Sequence, residues 1–147
     1  MNPEISVSYD ITLVTLHNVP SDIVFITKVF DRISKMNIDV DMISLSPPYS
    51  FSTDLSFTVK DDDLPAILSD ASEFSHHQIK MSVSSGNCKI SVNDPAMEHH
   101  PGAAAAIFHQ YAQLHTDIRL ITTSESQVSI LIPKADFDSI CNKIKKE

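Results

Sequence analysis

A proline–glycine pair in the second half of the sequence, Pro101-Gly102, has the residue types of a carboxylate-binding helix start. Proline suits the first position of a helix, because the N–H group that it lacks would have no partner there. The glycine that follows leaves room for a ligand to approach the exposed backbone N–H groups, and the positive end of the helix dipole favours an anion. The same pair also begins helices as a simple turn, so both interpretations stay open at this point.

Two acidic residues could contact a cationic group of a ligand bound at these helix starts. Asp41 and Glu125 lie on or just after predicted strands that neighbour the helix starts. A helix start and a nearby carboxylate together would suit a ligand that carries both a negative and a positive group. The alternative for Asp41 is an ordinary solvated position on a strand.

The histidines do not have the spacing of a metal site. His109 lies nine residues beyond His100, roughly 13 Å along a helix, so the two cannot share one ion. The pairs His99-His100 and His76-His77 lack the HxxxH or CxxC spacing that zinc ligands prefer. We therefore expect no metal and no cofactor, and His100 is left either to cap the helix or to contact a ligand carboxylate.

Motifs of catalysis are missing as well. The sequence has no G-x-S-x-G elbow and no glycine-rich phosphate loop, and it contains only two glycines. Cys88 and Cys141 are far apart and share apolar spacing with their neighbours, which predicts buried, inert thiols rather than a disulfide. We expect that the chain is not an enzyme.

The charge balance excludes further classes of partner. The 147 residues include 11 Lys and Arg against 19 Asp and Glu, a formal net charge of −8. Nucleic acids and anionic membranes are bound by cationic side chains, so neither is an expected partner. The sequence shows no basic leader followed by an apolar run and no stretch near the ~18 apolar residues that span a bilayer, which predicts a cytoplasmic protein.

An internal repeat organises the chain. Residues 35–46 match residues 113–124 at an offset of 78, with Asp39 on Asp117 and Ser46 on Ser124. Residues 55–59 match residues 128–132 at an offset of 73, so the loop between the two matches is five residues shorter in the second copy. The order of the matches is the same in both copies, which indicates two related structural units.

Each copy has the pattern β-α-β-β-α-β, the ferredoxin-like arrangement of the α+β class. Apolar residues at spacings of three and four predict a helix from Ile23 to Met36, and alternating apolar residues predict the strands around it. The second copy lacks a fourth strand, so we predict that residues 4–8 form a strand that completes its sheet. The predicted units are residues 9–85 and 86–147, with Gly86 in a hairpin turn between their strands.

The motifs of both copies resemble the tandem ACT domains at the C-terminus of aspartokinases. Met97-Glu-His-His-Pro-Gly102, a helix, Ile118-Arg-Leu-Ile-Thr-Thr-Ser-Glu125 and a strand at 128–132 are similar to the second-repeat pattern of that family. Asp39-Val-Asp-Met-Ile43 and Thr53-Asp-Leu-Ser-Phe-Thr-Val59 resemble its first repeat. The resemblance covers nearly the whole chain. The first copy departs from it, because Ser21-Asp-Ile-Val24 stands where the family usually has Pro-Gly, and the kinase domain is absent.

The resemblance implies a regulatory, amino-acid-binding ACT protein of the aspartokinase type that forms a homodimer and acts on a partner enzyme. Lysine and threonine are the ligands that it favours, bound first in the first copy, where Asp41 is present. The alternative is an ACT pair that binds no ligand and serves only dimerisation or assembly with an enzyme. The candidate ligand-binding residues are Asp22, Ile23, Val24, Val40, Asp41, Ser46, His100, Pro101, Gly102, Ile118, Ser124 and Glu125.

Overall fold

The computed structural model describes residues 3–48, 51–74, 78–113 and 115–144, apart from the side chains of residue 74 and residues 140–144. The strands are β1 (Glu4–Pro20), β2 (Ile43–Leu45), β3 (Ser52–Lys60), β4 (Lys80–Asn93), β5 (Leu120–Thr123) and β6 (Gln127–Pro133). The helices are α1 (Ile23–Lys35), α2 (Leu64–Ser69), α3 (Ala71–Phe74), α4 (Gly102–Ala112) and α5 (Lys134–Ile144), with short 3-10 turns at Asp61–Asp63 and Pro95–Glu98. The predicted α+β class is confirmed.

The chain divides into two units, and the long strands β1 and β4 contribute to both. The first unit is Ile11–Ser85, and the second unit contains the residues up to Asp10 together with those from Gly86 onward. The strand order in the first unit is β2-β3-β1-β4, and β3 runs antiparallel to both β1 and β2. This is the strand order of a ferredoxin-like unit, as the sequence pattern predicts.

Helix α1 covers the core of the first unit because its apolar residues recur on one side. Val29 and Ile33 are buried on α1, and the Phe30 ring meets Phe57 of β3 edge to face at 5.7 Å. The C-terminal turn carries Arg32 and Lys35, whose charges suit the negative end of the helix dipole. The core that this helix covers contains Val14, Leu16, Val19, Val29, Ile33, Ile38, Leu55, Phe57, Val59 and Ile67.

The segment after β3 forms two short helices, whereas its sequence pattern predicts one. A single short helix is expected from Leu64 to Ala71, whereas α2 ends at Ser69 and α3 begins at Ala71. Asp70 lies between them and accepts hydrogen bonds from the Arg32 guanidinium, one of them 2.8 Å long. This hydrogen bonding lowers the pKa of Asp70 and raises that of Arg32. Asp70, at the break between the two helices, therefore links α1 to the α2–α3 segment through its hydrogen bonds with Arg32.

The second unit has the equivalent strand order, β1-β4-β6-β5, with the N-terminal part of β1 in the position of the missing fourth strand. Val7 of β1 packs against the core of this unit, and the Tyr9 ring meets Phe137 of α5 edge to face at 5.5 Å. Both helices lie close to their predicted ranges of 101–115 and 135–145. The core residues are Cys88, Ile90, Val92, Ile107, Tyr111, Val128, Ile130, Ile132 and Phe137.

One buried polar atom in this core has no hydrogen-bond partner among the residues that the structure describes. The residue is Tyr111 on α4, which is 8% exposed, and its hydroxyl contacts no donor or acceptor among the described residues. Burial raises the pKa of Tyr111 to about 12, because the charged phenolate would lose its hydration.

The hairpin turn expected at Gly86 is wrong. β4 continues through Gly86, which has a φ of +71°, and Asn87–Asn93 pair with β6 on the far side of it. Ser82 and Ser85, on the near side, contact residues of β1 instead. Gly86 therefore supplies a left-handed residue within one long strand, just before the pairing with β6 begins, and this use of glycine has the same local sequence signal as a turn.

Candidate ligand-binding site

The first candidate loop joins β1 to α1. Asp22 is the N-cap of α1, and its carboxylate accepts a hydrogen bond of 2.9 Å from the Val24 N–H. Ile23 and Val24 follow it with exposures of 72% and 57%. The Asp22 carboxylate therefore already uses one of the donors that a ligand carboxylate would bind at a helix start.

The second part of the candidate site is the edge strand β2. This strand ends the strand order of the first unit, and it pairs with β3. Ile43 and Leu45 on β2 are 50% and 45% exposed. Half-buried Val40 packs against the core before the strand begins. The edge is therefore apolar and accessible beside a helix start that is also apolar.

Asp41 and Ser46 flank β2 at its two ends. The Asp41 N–H donates to the Thr58 carbonyl at 3.1 Å, and the Ser46 N–H donates to the Asp54 carbonyl at 3.0 Å. The Ser46 carbonyl also accepts a hydrogen bond from the Thr53 hydroxyl. Both Asp41 and Ser46 have exposed side chains.

The register of β3 brings some of these residues together and separates others. Pro20 at the end of β1 pairs with Ser52, so α1 begins at the end of β3 that also contacts Ser46. Asp41 contacts β3 four residues further along, which is about 13 Å at 3.4 Å per residue. Within one chain, Asp22 and Ser46 share one end of the sheet and Asp41 lies at the other.

The second candidate loop begins α4. Pro101 is the N-cap residue, one position earlier than expected, and α4 begins at Gly102 without a side-chain cap. The Ala103 N–H donates to the His100 carbonyl at 3.0 Å. His100, Pro101 and Gly102 are exposed, and a Cβ atom at Gly102 would meet no atom within 4 Å. The loop therefore has open space in front of a helix start that no side chain of its own N-cap blocks.

The strand of the second copy repeats the backbone contacts of the first. The Arg119 N–H donates to the Leu131 carbonyl at 2.7 Å, and the Ser124 N–H donates to the Gln127 carbonyl at 2.9 Å. They correspond to the hydrogen bonds of Asp41 and Ser46 in the first copy: the donors are related by the offset of 78 residues and the acceptors by the offset of 73. Ile118 is 39% exposed, and Glu125 lies exposed in the turn to β6. The position of Asp41 is thus occupied by a cation in the second copy.

A polar cluster at the end of β1 was not predicted from the sequence. His17 and Asn18 together oppose the single residue Asp54 in the β1–β3 register, which is a β-bulge. The Asp54 carboxylate accepts a hydrogen bond of 3.2 Å from the Asn18 N–H and lies 3.5 Å from His17 Nδ1. His17 Nε2 is 2.8 Å from the Ser82 hydroxyl. One signal for the bulge was present, since Leu16 and Val19 are both apolar at a spacing that breaks the alternation of a strand.

Neither a metal cluster nor a membrane helix is found in the part of the chain that the structure describes. No three His, Cys, Asp or Glu side chains there are grouped closely enough to hold an ion. His76 and His77 lie outside that part. No helix within it has both the length and the apolar character needed to cross a bilayer.

Residues 90–147 match the family model of the ACT domain. Aspartokinase 2 of Bacillus subtilis is 32% identical to the chain over 133 residues, which cover 86% of this chain and 31% of the kinase. The regulatory subunit of aspartate kinase from Thermus flavus superposes with a TM-score of 0.78 at 24% identity, over 89% of this chain and 88% of that subunit. Aspartokinase III of E. coli, solved in complex with lysine and aspartate, superposes with a TM-score of 0.73 at 20% identity, over 97% of this chain and 32% of the enzyme.

The chain spans about a third of the length of the curated relatives that it matches. Among the solved structures, a regulatory subunit of aspartate kinase is covered over most of its length, whereas the complete aspartokinase III is covered over about a third. The chain therefore contains an ACT domain at residues 90–147, and over most of its length it resembles the aspartokinases and their regulatory subunits.

Proposed function

We propose that the chain binds a free amino acid in its first unit and thereby regulates an enzyme of amino-acid biosynthesis of the aspartokinase type. The observation that carries the proposal is the accessible β2 edge beside the start of α1, with Asp22, Asp41 and Ser46 around it. The relatives support the choice of ligand class, because one of their structures contains lysine.

A second copy of the chain would complete this site. If two β2 strands pair antiparallel about a two-fold axis at Ser44, Ile43 of one copy lies opposite Leu45 of the other, and residue 41 lies opposite residue 47, next to Ser46. Asp41 of one copy would then reach the end of the sheet where Asp22 and Ser46 of the other copy lie. The pairing supplies partners to an open strand edge and covers exposed Ile43 and Leu45. The homodimer is thus part of the proposed site.

The charges around this site favour lysine over threonine. A ligand carboxylate must share the start of α1 with the Asp22 carboxylate, which already caps the helix. Lysine carries two ammonium groups, and the site offers Asp22 and a facing Asp41 to accept them. Threonine has one ammonium group and would contact only one of the two carboxylates.

The second loop is the second candidate within the same proposal. Its helix start is free of a side-chain cap at Pro101, and Gly102 has open space in front of it, so a ligand carboxylate could bind there. The acceptor for an ammonium group would be Glu125, because Arg119 stands where the first copy has Asp41. His100, Ile118 and Ser124 would complete the lining.

The alternative function is assembly without a ligand. It is favoured by Ile23 and Val24, which expose apolar side chains at the helix start where a ligand carboxylate would bind. In this case the same β2 edge joins two copies, or docks on a partner enzyme, and no amino acid is needed.

A thermal-shift panel of amino acids with two matched variants tests the proposal. Lysine at 100 times its Kd should stabilise the protein by about 2.7 kcal/mol, more than threonine does. Asp41→Ala should abolish this shift, whereas Asp39→Ala, at an exposed acid two residues away, should keep it. A dimer in analytical ultracentrifugation with a flat panel would favour assembly instead. A shift that persists in Asp41→Ala would move the ligand to the Pro101–Gly102 loop.

A further inference from the structure

The Asp54 carboxylate contacts both residues of the β-bulge at the end of β1. Leu16 pairs with Leu55 and Val19 pairs with Thr53, so two residues of β1 stand against Asp54. Asn18 takes a φ of +65°, which asparagine tolerates better than most residues. The Asp54 carboxylate accepts a hydrogen bond from the N–H of this left-handed residue and also faces His17.

The bulge determines how the chain enters α1. Because one extra residue is inserted, Leu16 and Val19 are both fully buried in the core although they are three residues apart. Only Pro20 and Ser21 separate Val19 from Asp22, so the direction of the strand after the bulge determines where the helix start lies.

Asp54 also fixes the other half of the proposed site. Its backbone carbonyl accepts the hydrogen bond from the Ser46 N–H, while its carboxylate holds the bulge that leads to Asp22. We propose that Asp54 is a positioning residue that sets the distance between Asp22 and Ser46 and so determines the affinity for the amino acid without touching it. This inference rests on the proposed function of the first unit.

The surroundings of the cluster support a role in positioning more than in global stability. The side chains of Asp54 and His17 are 47% and 41% exposed, and the pair between them is a surface pair of small energetic value. The flanking residues Leu16 and Val19 are fully buried and pair with β3 through their backbones, so their pairing does not depend directly on the Asp54 carboxylate. Loss of the carboxylate is therefore expected to loosen the bulge and its loop while the unit stays folded.

Two variants at residue 54 and one control test this inference. Asp54→Ala removes the acceptor for the Asn18 N–H, whereas Asp54→Asn keeps an amide oxygen that can accept the same hydrogen bond. Ser82→Ala removes the contact of His17 Nε2 and leaves Asp54 unchanged. The first readout is the Kd for lysine by calorimetry, well below the melting temperature of each variant. The second is the amide exchange of Val24 and Ser46 in the ligand-free protein.

Asp54→Ala is expected to raise the Kd about tenfold, which corresponds to about 1.4 kcal/mol, and to speed exchange at both amides. Asp54→Asn and Ser82→Ala should stay close to the wild type in both readouts. Unchanged exchange at Val24 and Ser46 in Asp54→Ala would overturn the inference, and so would an Asp54→Asn variant as impaired as Asp54→Ala. If the wild type binds no lysine, the proposed function fails, and the exchange experiment still decides whether Asp54 positions the loop.

Discussion

Replacement of Tyr111 by phenylalanine should make the protein more stable. The Tyr111 ring belongs to the core of the second unit, but its hydroxyl is buried without a hydrogen-bond partner among the described residues. In the unfolded chain the same hydroxyl is hydrogen-bonded to water, so folding loses that bond without replacing it. Phenylalanine keeps the ring and its packing, and it removes the hydroxyl whose loss of hydration destabilises the folded protein.

The magnitude follows from the burial of the group. An unsatisfied buried hydroxyl costs about 1–3 kcal/mol, and at 8% exposure of the residue a gain of about 1 kcal/mol is a conservative expectation for Tyr111→Phe at neutral pH. The difference should grow in alkaline solution. The pKa of Tyr111 is raised to about 12 from 10.0, so the stability that comes from keeping the phenol neutral is fully present below pH 10. It is lost progressively from the wild type between pH 10 and 12, and the phenylalanine variant has no group that ionises there.

Urea denaturation at pH 7 and at several values between pH 9 and 11.5 measures both effects. The matched control is Tyr9→Phe, because the Tyr9 side chain also packs on the second unit but is 51% exposed. The control should change the free energy of unfolding by no more than about 0.5 kcal/mol, as is usual at the surface. A Tyr111→Phe variant that is less stable than the wild type at pH 7 would refute the reasoning, because it would mean that the hydroxyl has a stabilising partner.

Three further outcomes are expected. Asp22→Ala should lower the free energy of unfolding by about 1 kcal/mol in urea denaturation, since it removes the N-cap of α1. Asp70→Asn should remove an acid-sensitive part of the stability. The Asp70 pKa lies below its ordinary value of 3.8, so this part is present above that value and is lost as the pH falls through the lowered pKa, as an acid titration of unfolding would show. Deletion of the residues through Ser8 should speed amide exchange in β6 while β3 keeps its protection, because Val7 packs in the second unit, and unchanged stability would argue against that strand's role.

The order of elements could be predicted from the sequence because it depends on periodicity and on the repeat. The 78-residue and 73-residue offsets correspond to real backbone contacts, since the hydrogen bond of Ser46 in one copy matches that of Ser124 in the other. A missing strand in the second copy was also visible as a gap in the pattern. The order of elements, the repeat and the missing strand each depend on many residues, so they can be recognised in the sequence even where single residues depart from the pattern.

Local backbone geometry could not be predicted in the same way. The sequence around Gly86 predicts a turn. A left-handed residue can either reverse the chain or stay within a strand, and which of the two occurs depends on the strands that pair on its two sides. The bulge at His17 and Asn18 likewise depends on the register between β1 and β3. The separation of Asp41 from Asp22 also depends on the registers of β3 with β1 and with β2, which a list of candidate ligand residues does not contain.

The two copies show that the asymmetry of this protein lies in its side chains more than in its backbone. Equivalent N–H groups donate to equivalent carbonyls, yet Asp22 in the first copy corresponds to His100 in the second, and Asp41 corresponds to Arg119. The first copy therefore has carboxylates at the start of its helix α1 and just before its edge strand β2, and the second copy has His100 and Arg119 at these two positions. A ligand with two ammonium groups would be attracted to the first arrangement and repelled by part of the second. One amino acid per first unit, shared between two copies of the chain, is the stoichiometry that this asymmetry predicts.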